Sequence, residues 1–136
     1  MARKDTPKTL RNKIDKIRSE YIRKRDADWR GNAQCFTCDK VMHWKEAQGG
    51  HFFIRQHDFT TELGGDERNL QPQCYGCNGM MRGRPQLFAI RLQEKYGDQI
   101  LKELETKYRT PKKWKMSELE ELLEHYRSLL KTVDKW

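Results

Sequence analysis

The sequence contains no apolar run long enough to span a membrane, and its first five residues do not open an apolar stretch like that of a signal peptide. Hydrophobic residues make up 35% of the 136 positions, a thin core for this length that a bound metal would help to hold together. No internal repeat and no low-complexity tract is present. We therefore expect one compact domain in a cytoplasmic protein that has no membrane partner.

The chain has only four cysteines, and they form two pairs with two residues between the members of each pair. The pairs are Cys35 with Cys38 and Cys74 with Cys77. In a reducing compartment such pairs are metal ligands more often than disulfides. Two such pairs supply four thiolates, which complete the tetrahedral coordination of a zinc ion and leave no open coordination position. The spacing therefore predicts one structural Zn²⁺ per chain. The alternative, four buried free thiols, is disfavoured by the repeated spacing.

The basic charge is concentrated at the start of the chain. The net charge is +8 and the sequence pI is about 9.4. Residues 1–30 hold eleven Lys/Arg against five Asp/Glu, residues 31–85 hold six of each, and residues 86–136 hold eleven against nine. Basic groups release counterions from a polyanion, so this distribution favours a partner with a phosphate backbone over a role in solubility alone.

The first region, residues 1–30, is predicted to contain a basic helix over residues 7–30. Thr6 can cap this helix and Pro7 suits its first position. An apolar stripe of Leu10, Ile14, Ile17 and Tyr21 is expected to pack against the core. Basic residues occupy the other faces, where they are expected to meet water or an anion: Arg11, Lys13, Lys16, Arg18, Arg23, Lys24 and Arg25.

Residues 31–85 form the second predicted region, which holds all four cysteines and eight of the nine glycines. Short strands are predicted at residues 41–44 and 51–54, where apolar residues cluster. Residues 56–66 are expected to form a loop, and a short helix is predicted over about residues 74–83.

Residues 86–136 form the third, helical region. Pro85 is expected to start a helix that Gly97 ends, Asp98 to cap the next helix, and the capping box Ser117–Glu120 to begin the last one. The last helix carries a wide apolar stripe: Leu119, Leu122, Leu123, Tyr126, Leu129, Leu130 and Val133. This stripe favours packing in the core or in a homodimer interface over contact with DNA.

The chemistry between the cysteine pairs centres on His51. It follows Gly49 and Gly50 and precedes an apolar run, and a histidine in that place can act as a general base at neutral pH. Asn69 can hold the loop and orient the histidine, the alternative being a turn asparagine. Asn78 offers a carbonyl oxygen suited to Mg²⁺ or Mn²⁺, the alternative being a cap.

These motifs resemble a known family. Their order looks like that of an HNH-type ββα-metal endonuclease with a zinc ribbon: Cys-x2-Cys, Gly-His, Asn and then Cys-x2-Cys-Asn. Over about residues 30–100 the chain more narrowly resembles the phage NinG (Rap) recombination proteins. The residues that carry the closer likeness are Trp44, Gly50-His51-Phe52, Glu67-Arg68-Asn69, Gln73-Cys74 and Cys77-Asn78. The implied fold is α+β, with a small zinc-stabilised HNH-like core between a basic N-terminal helix and C-terminal helices.

The resemblance also implies an activity, which is a metal-dependent endonuclease of phage recombination that cuts branched DNA such as a four-way (Holliday) junction. His51 would be the general base, Asn69 the orienting residue and Asn78 a ligand of Mg²⁺ or Mn²⁺. HNH nucleases usually carry an acid or a histidine directly before the base, and Gly50 stands there in this chain. His57, Asp58, Asp66 and Glu67 are alternatives for that ligand, and Glu67 is favoured because it neighbours Asn69.

Further basic residues are candidates for DNA contacts. Arg55, Arg82 and Arg84 flank the expected site, and the connector Lys112-Lys113-Trp114-Lys115 combines charge with a ring that could stack on a base. The alternative for Trp114 is a place in the core. Two other functions stay open: a non-catalytic zinc-ribbon protein that binds nucleic acid, and an adaptor that uses the C-terminal helices.

Overall fold

The computed structural model describes residues 5–134 and contains four α-helices and two antiparallel two-stranded sheets in that range. In chain order the elements are α1 (Pro7–Arg25), β1 (Asn32–Gln34), β2 (Val41–His43), β3 (Gln48–His51), β4 (Leu70–Gln73), α2 (Pro85–Tyr96), α3 (Ile100–Tyr108) and α4 (Met116–Val133). The predicted α+β class is confirmed. The outer ends of the first and last predicted regions lie outside the described residues.

Helix α1 begins as predicted but ends earlier. The side chain of Thr6 accepts a hydrogen bond from the Thr9 backbone N–H at 3.2 Å, and Pro7 occupies the first position. The helix ends at Arg25 rather than near residue 30. The Asp28 carboxylate accepts backbone N–H groups two and four residues ahead, at 2.9 Å each, and so turns the chain into β1.

The apolar stripes of α1 and α4 pack against each other, which brings the first and last described helices together. Leu10 and Ile14 of α1 share one buried cluster with Leu119 and Tyr126 of α4 and with Leu70 of β4. The expected stripe of the last helix therefore forms core. Sealing such a stripe from water stabilises a helix pair far more than helix propensity does.

Two of the basic residues expected to face water on α1 are buried instead. Arg18 is 2% exposed and Lys24 is 4% exposed. The Lys24 ammonium contacts the carboxylates of Glu20 and Asp134 at 3.2 and 2.5 Å and lies over the ring of Trp44. The prediction was wrong here because the folded chain supplies acids that lie far away in the sequence.

The β3–β4 hairpin differs from the predicted strands. The strand predicted at residues 51–54 is wrong, because β3 spans Gln48–His51 and ends at the histidine. Its partner β4 was not predicted, since Leu70–Gln73 contains a proline and two glutamines. Both glutamines are fully buried. Antiparallel pairing sets Gly49 opposite Pro72 and His51 opposite Leu70.

Several helix boundaries also need correction. The helix predicted over residues 74–83 is a short π-helical turn, Gly76–Met80. Gly97 ends α2 with a φ of +97° as expected, but α3 is preceded by Gln99 at its N-cap rather than by Asp98. The last helix begins before Ser117, and the Glu118 side chain accepts the Lys115 backbone N–H at 3.1 Å.

Asp66 fastens the long β3–β4 loop to α3. Its carboxylate accepts hydrogen bonds from Arg68 at 2.7 Å and from Lys107 at 2.8 Å. Burial raises the pKa of Asp66, but these hydrogen bonds outweigh burial and lower the pKa to about 2. The carboxylate therefore stabilises the folded state only when it is ionised.

A pH-dependent loss of stability follows from this pair. Because the folded pKa lies below the unfolded value of 3.8, the contribution of Asp66 is complete above about pH 4 and disappears as the pH falls toward 2. We expect the zinc-loaded wild type to exceed zinc-loaded Asp66→Asn by about 2 kcal/mol in unfolding free energy at pH 7, where the cysteines can hold a metal. Urea titrations of both proteins at pH 7 measure this difference. Equal unfolding free energies would contradict it.

No helix within residues 5–134 is both long enough and apolar enough to cross a membrane.

Candidate functional site

The four cysteines converge on one point. Their Sγ atoms lie within 4.8 Å of one another, and those of Cys38 and Cys74 are 3.6 Å apart. A tetrahedral zinc with bonds of about 2.3 Å separates its sulfurs by about 3.8 Å. None of the four is in a disulfide. The donor set and its spacing fit a zinc ion, as the sequence predicted.

The surroundings favour a thiolate at Cys35, whereas burial and the neighbouring sulfurs raise the pKa of Cys38 to about 12. Burial raises the pKa of Cys35, but hydrogen bonds from Thr37 and from backbone N–H groups outweigh it and lower the pKa to about 6. The Cys77 backbone N–H points at Cys74 Sγ at 3.4 Å, and Arg84 Nη1 lies 3.9 Å from Cys77 Sγ. Donors aimed at sulfur stabilise the charge of a four-thiolate site.

His51 stands at the end of β3 beside a buried ion pair. Its Nε2 atom lies 3.2 Å from Asp58 Oδ2, and Arg18 Nη2 donates to the same oxygen at 2.8 Å. Arg18 and Asp58 are each 2% exposed, and His51 is partly exposed. A cavity of about 320 Å³ opens onto His51. The carboxylate that contacts the histidine is therefore Asp58.

Both terminal nitrogens of Arg18 have hydrogen-bond partners. Its Nη1 donates to the Gly64 carbonyl oxygen at 2.9 Å, and its guanidinium lies over the rings of Phe59 and Tyr126 at 5.7 and 5.6 Å. A buried guanidinium needs such partners, because an unpaired charge in the core is costly. Arg18 thereby fixes Asp58, and Asp58 fixes one nitrogen of His51.

Asn69 clamps the loop that follows the histidine. Its Oδ1 accepts the Phe53 backbone N–H at 2.8 Å and its Nδ2 donates to the Phe53 carbonyl at 2.9 Å. The backbone carbonyl of Asn69 accepts the Phe52 N–H at 2.8 Å. Asn69 is 2% exposed, so these bonds form away from water and keep the chain rigid two residues after His51.

Packing against Gln73 explains why a glycine stands at position 50. A Cβ atom at this position would lie 1.9 Å from Gln73 Oε1 and 2.6 Å from its Cδ. Gln73 is fully buried and donates to Thr37 Oγ1 and to the Gly83 carbonyl, at 3.0 Å each. The glutamine side chain thus fills the space that an acid before His51 would need.

Asn78 and Glu67 are not brought to His51. Asn78 Nδ2 donates to Gln48 Oε1 at 2.8 Å. Gln48 and His51 point to opposite faces of β3, since residues three apart in a strand alternate faces. Glu67 lies 3.5 Å from Arg25, and its buried Oε2 has no hydrogen-bond partner in the described chain. Within residues 5–134, no hydrogen bond or ion pair joins either of these predicted Mg²⁺ or Mn²⁺ ligands to His51.

The three arginines predicted to bind DNA separate into two groups. Arg55 lies with His51 and pairs with Asp15 at 2.7 Å. Arg82 and Arg84 follow the zinc site, on a turn where both have positive φ angles, 53° and 48°. They flank the cysteines rather than the histidine cavity.

The basic connector packs against the loop of the β3–β4 hairpin. Trp114 Nε1 donates to the Thr61 carbonyl at 2.9 Å, its ring meets Phe59 edge-on, and Lys112 Nζ lies 4.3 Å above it. The packed position for Trp114 is thus the one the structure adopts. Lys113 is exposed, and Lys115 precedes α4 at its N-cap.

Sequence reasoning missed Arg18 altogether and ranked Asp58 below Glu67. Arg18 stands in a helix rich in bases, where nothing local distinguishes it from its neighbours. Asp58 lies seven residues after His51 and forty residues after Arg18, so only the fold reveals the contact.

The fold and the cysteine cluster define a small α+β protein with a four-cysteine site suited to zinc. The family described as Bacteriophage Lambda NinG protein matches residues 2–135, and the chain therefore belongs to that family. No curated protein and no solved structure matches the chain.

Proposed function

We propose that this protein is an HNH-type, metal-dependent DNA endonuclease of phage recombination that cuts branched DNA. The observation that carries the proposal is His51 at the end of β3, oriented by the buried pair of Asp58 and Arg18. The chain order also supports it, because β3, β4 and the helical turn Gly76–Met80 follow one another as the elements of a ββα-metal core do. The long loop between the strands ends in Asn69, which clamps it.

The geometry gives each nitrogen of His51 a role. When Nε2–H donates to Asp58, the neutral imidazole carries its lone pair on Nδ1. Nδ1 can then take a proton from a water molecule that attacks the phosphorus atom. Asp58 fixes this tautomer and favours the imidazolium that forms, as an acid partner does in other histidine bases. Arg18 keeps Asp58 in place through this step.

The residues that contact His51 offer one carboxylate to a catalytic metal. Asp58 touches His51, whereas Asn78 contacts Gln48 and Glu67 contacts Arg25. Mg²⁺ often binds through one carboxylate, waters and the phosphates of its substrate. A bound Mg²⁺ or Mn²⁺ would supply charge stabilisation for the leaving 3′ oxygen.

A cleavage assay tests the proposal. Zinc-loaded protein is incubated with supercoiled plasmid, a forked duplex and a four-way junction, each with Mg²⁺, with Mn²⁺ and without either ion. We expect cutting of the branched substrates only when one ion is present, with 5′-phosphate and 3′-hydroxyl ends. An end-labelled ladder identifies both. Absence of cleavage on every substrate with either ion would overturn the enzyme proposal.

A second function has a specific observation in its favour. Gln73 fills the place of the acid before His51, and the predicted metal ligands do not meet, which suits a non-catalytic zinc protein that binds nucleic acid. This alternative predicts tight binding to branched DNA and no cleavage. Gel shifts made alongside the cleavage assay distinguish the two.

A further inference from the structure

Three cavities join along α1 into one groove that ends at His51. The middle cavity, of about 690 Å³, lies between the first turns of α1 and the residues after β3. It shares Asn12, Asp15 and Arg55 with the cavity that contains His51. At its other end it shares Arg11 with a cavity of about 540 Å³ beside the basic connector. We call the three together the α1 groove.

The α1 groove is lined by cations. They are Lys8, Arg11, Lys16, Arg55, Lys112 and Lys113. Asp15 is the one acid among the lining residues, and Arg55 neutralises it. Lys8, Arg11, Lys16 and Lys113 form no ion pair with any acid among residues 5–134, so their charges are available to a polyanion.

Apolar side chains stand between these cations. Ile54 is 55% exposed in the middle cavity, and the partly exposed ring of Phe59 lines both the middle cavity and the one beside the connector. A surface that only grips duplex phosphates needs no such residues. Alternating cations and apolar faces suit a strand whose bases are unpaired, because the bases contact the apolar faces while the phosphates meet the cations.

We propose that the α1 groove binds one unpaired strand of a branched DNA and guides it to His51. The end point of this path rests on the proposed nuclease function, but the binding itself does not. The groove also gives the concentrated charge of the first helix a specific task, since Lys8, Arg11 and Lys16 lie along one side of it.

Fluorescence anisotropy on the full-length chain tests the proposal. The probes are a labelled oligothymidine of about 20 nucleotides and a duplex of equal length, measured without added Mg²⁺ or Mn²⁺ so that no cleavage occurs. We expect the double variant Lys8→Glu/Arg11→Glu to weaken oligothymidine binding at least about 10-fold, to affect the duplex less, and to lower the salt slope by about 1.4. Both acids would fall near the N-terminus of α1, where negative charge favours a helix, so folding is expected to persist.

The control is Lys102→Glu/Lys131→Glu, which changes the charge equally at exposed residues outside the groove. It is expected to leave oligothymidine binding within about 2-fold of wild type. A second variant, Ile54→Ser, is expected to weaken oligothymidine binding alone. Equal losses in the groove and control variants, or equal losses for oligothymidine and duplex, would overturn the proposal. If the wild type cuts nothing but shows the expected binding pattern, the nuclease proposal fails and the strand path stands.

Discussion

Cys74→Ser is expected to leave the chain largely unfolded and without its zinc ion. Serine is a poor zinc ligand, and the free energy of structural zinc binding, about 10–16 kcal/mol in small zinc modules, is also folding free energy. This free energy is of the same size as the about 5–15 kcal/mol that stabilises a typical domain. Far-UV circular dichroism and zinc content per chain measure the two losses together.

The neighbouring residue supplies a matched control. Tyr75 is 61% exposed and directly follows Cys74, so Tyr75→Ala is expected to keep both the zinc and the helical signal. Cys74 is 7% exposed and belongs to a small cluster with Ala33, Met42 and Trp44. We expect this small cluster to need the metal to hold the two sheets together. A folded, zinc-free Cys74→Ser protein would contradict the structural role of the ion.

His51→Ala is expected to reduce cleavage of branched DNA by about 100-fold or more while DNA binding persists. A positioned general base contributes about 10²–10⁴-fold to a rate, and no other described histidine contacts a buried carboxylate. Initial rates on a labelled four-way junction, with gel shifts in parallel, separate catalysis from binding. The fold is expected to survive, since Asp58 keeps its ion pair with Arg18.

His125→Ala is the control for this variant. His125 is exposed on α4, where its ring contacts Tyr126, and it lines none of the cavities that form the α1 groove. Its cleavage rate is expected to match that of wild type. Cleavage by His51→Ala at an unchanged rate would remove the histidine from the mechanism, even if the protein proved to be a nuclease.

The features that the sequence predicted well are the ones carried by local spacing. Each cysteine pair has two residues between its members, and the apolar stripes of α1 and α4 repeat every three or four residues. Both patterns can be found without knowing the fold. The cap at Thr6 and the left-handed Gly97 are equally local. Each of these features depends only on residues within a few positions of one another, so local physical rules are sufficient to predict it.

The features it missed depend on contacts between distant parts of the chain. Strand β4 carries Pro72 between two glutamines, and only its pairing with β3 and the burial of both amides make it a strand. The choice of Asp58 over Glu67 required the position of Arg18, a residue of another element. The sequence shows only that Gly50 lacks a ligand, whereas the fold shows that the Gln73 side chain fills the space beside it.

Pairing α1 with α4 affects when the support of His51 can form. During synthesis α1 leaves the ribosome with its apolar stripe exposed, and α4, which covers that stripe, is made after the other described elements. Contacts between segments so far apart in sequence form late, because a long loop must close first. Arg18 lies on α1 and packs against Tyr126 of α4, so the support of His51 is expected to be complete only after α4 has been made.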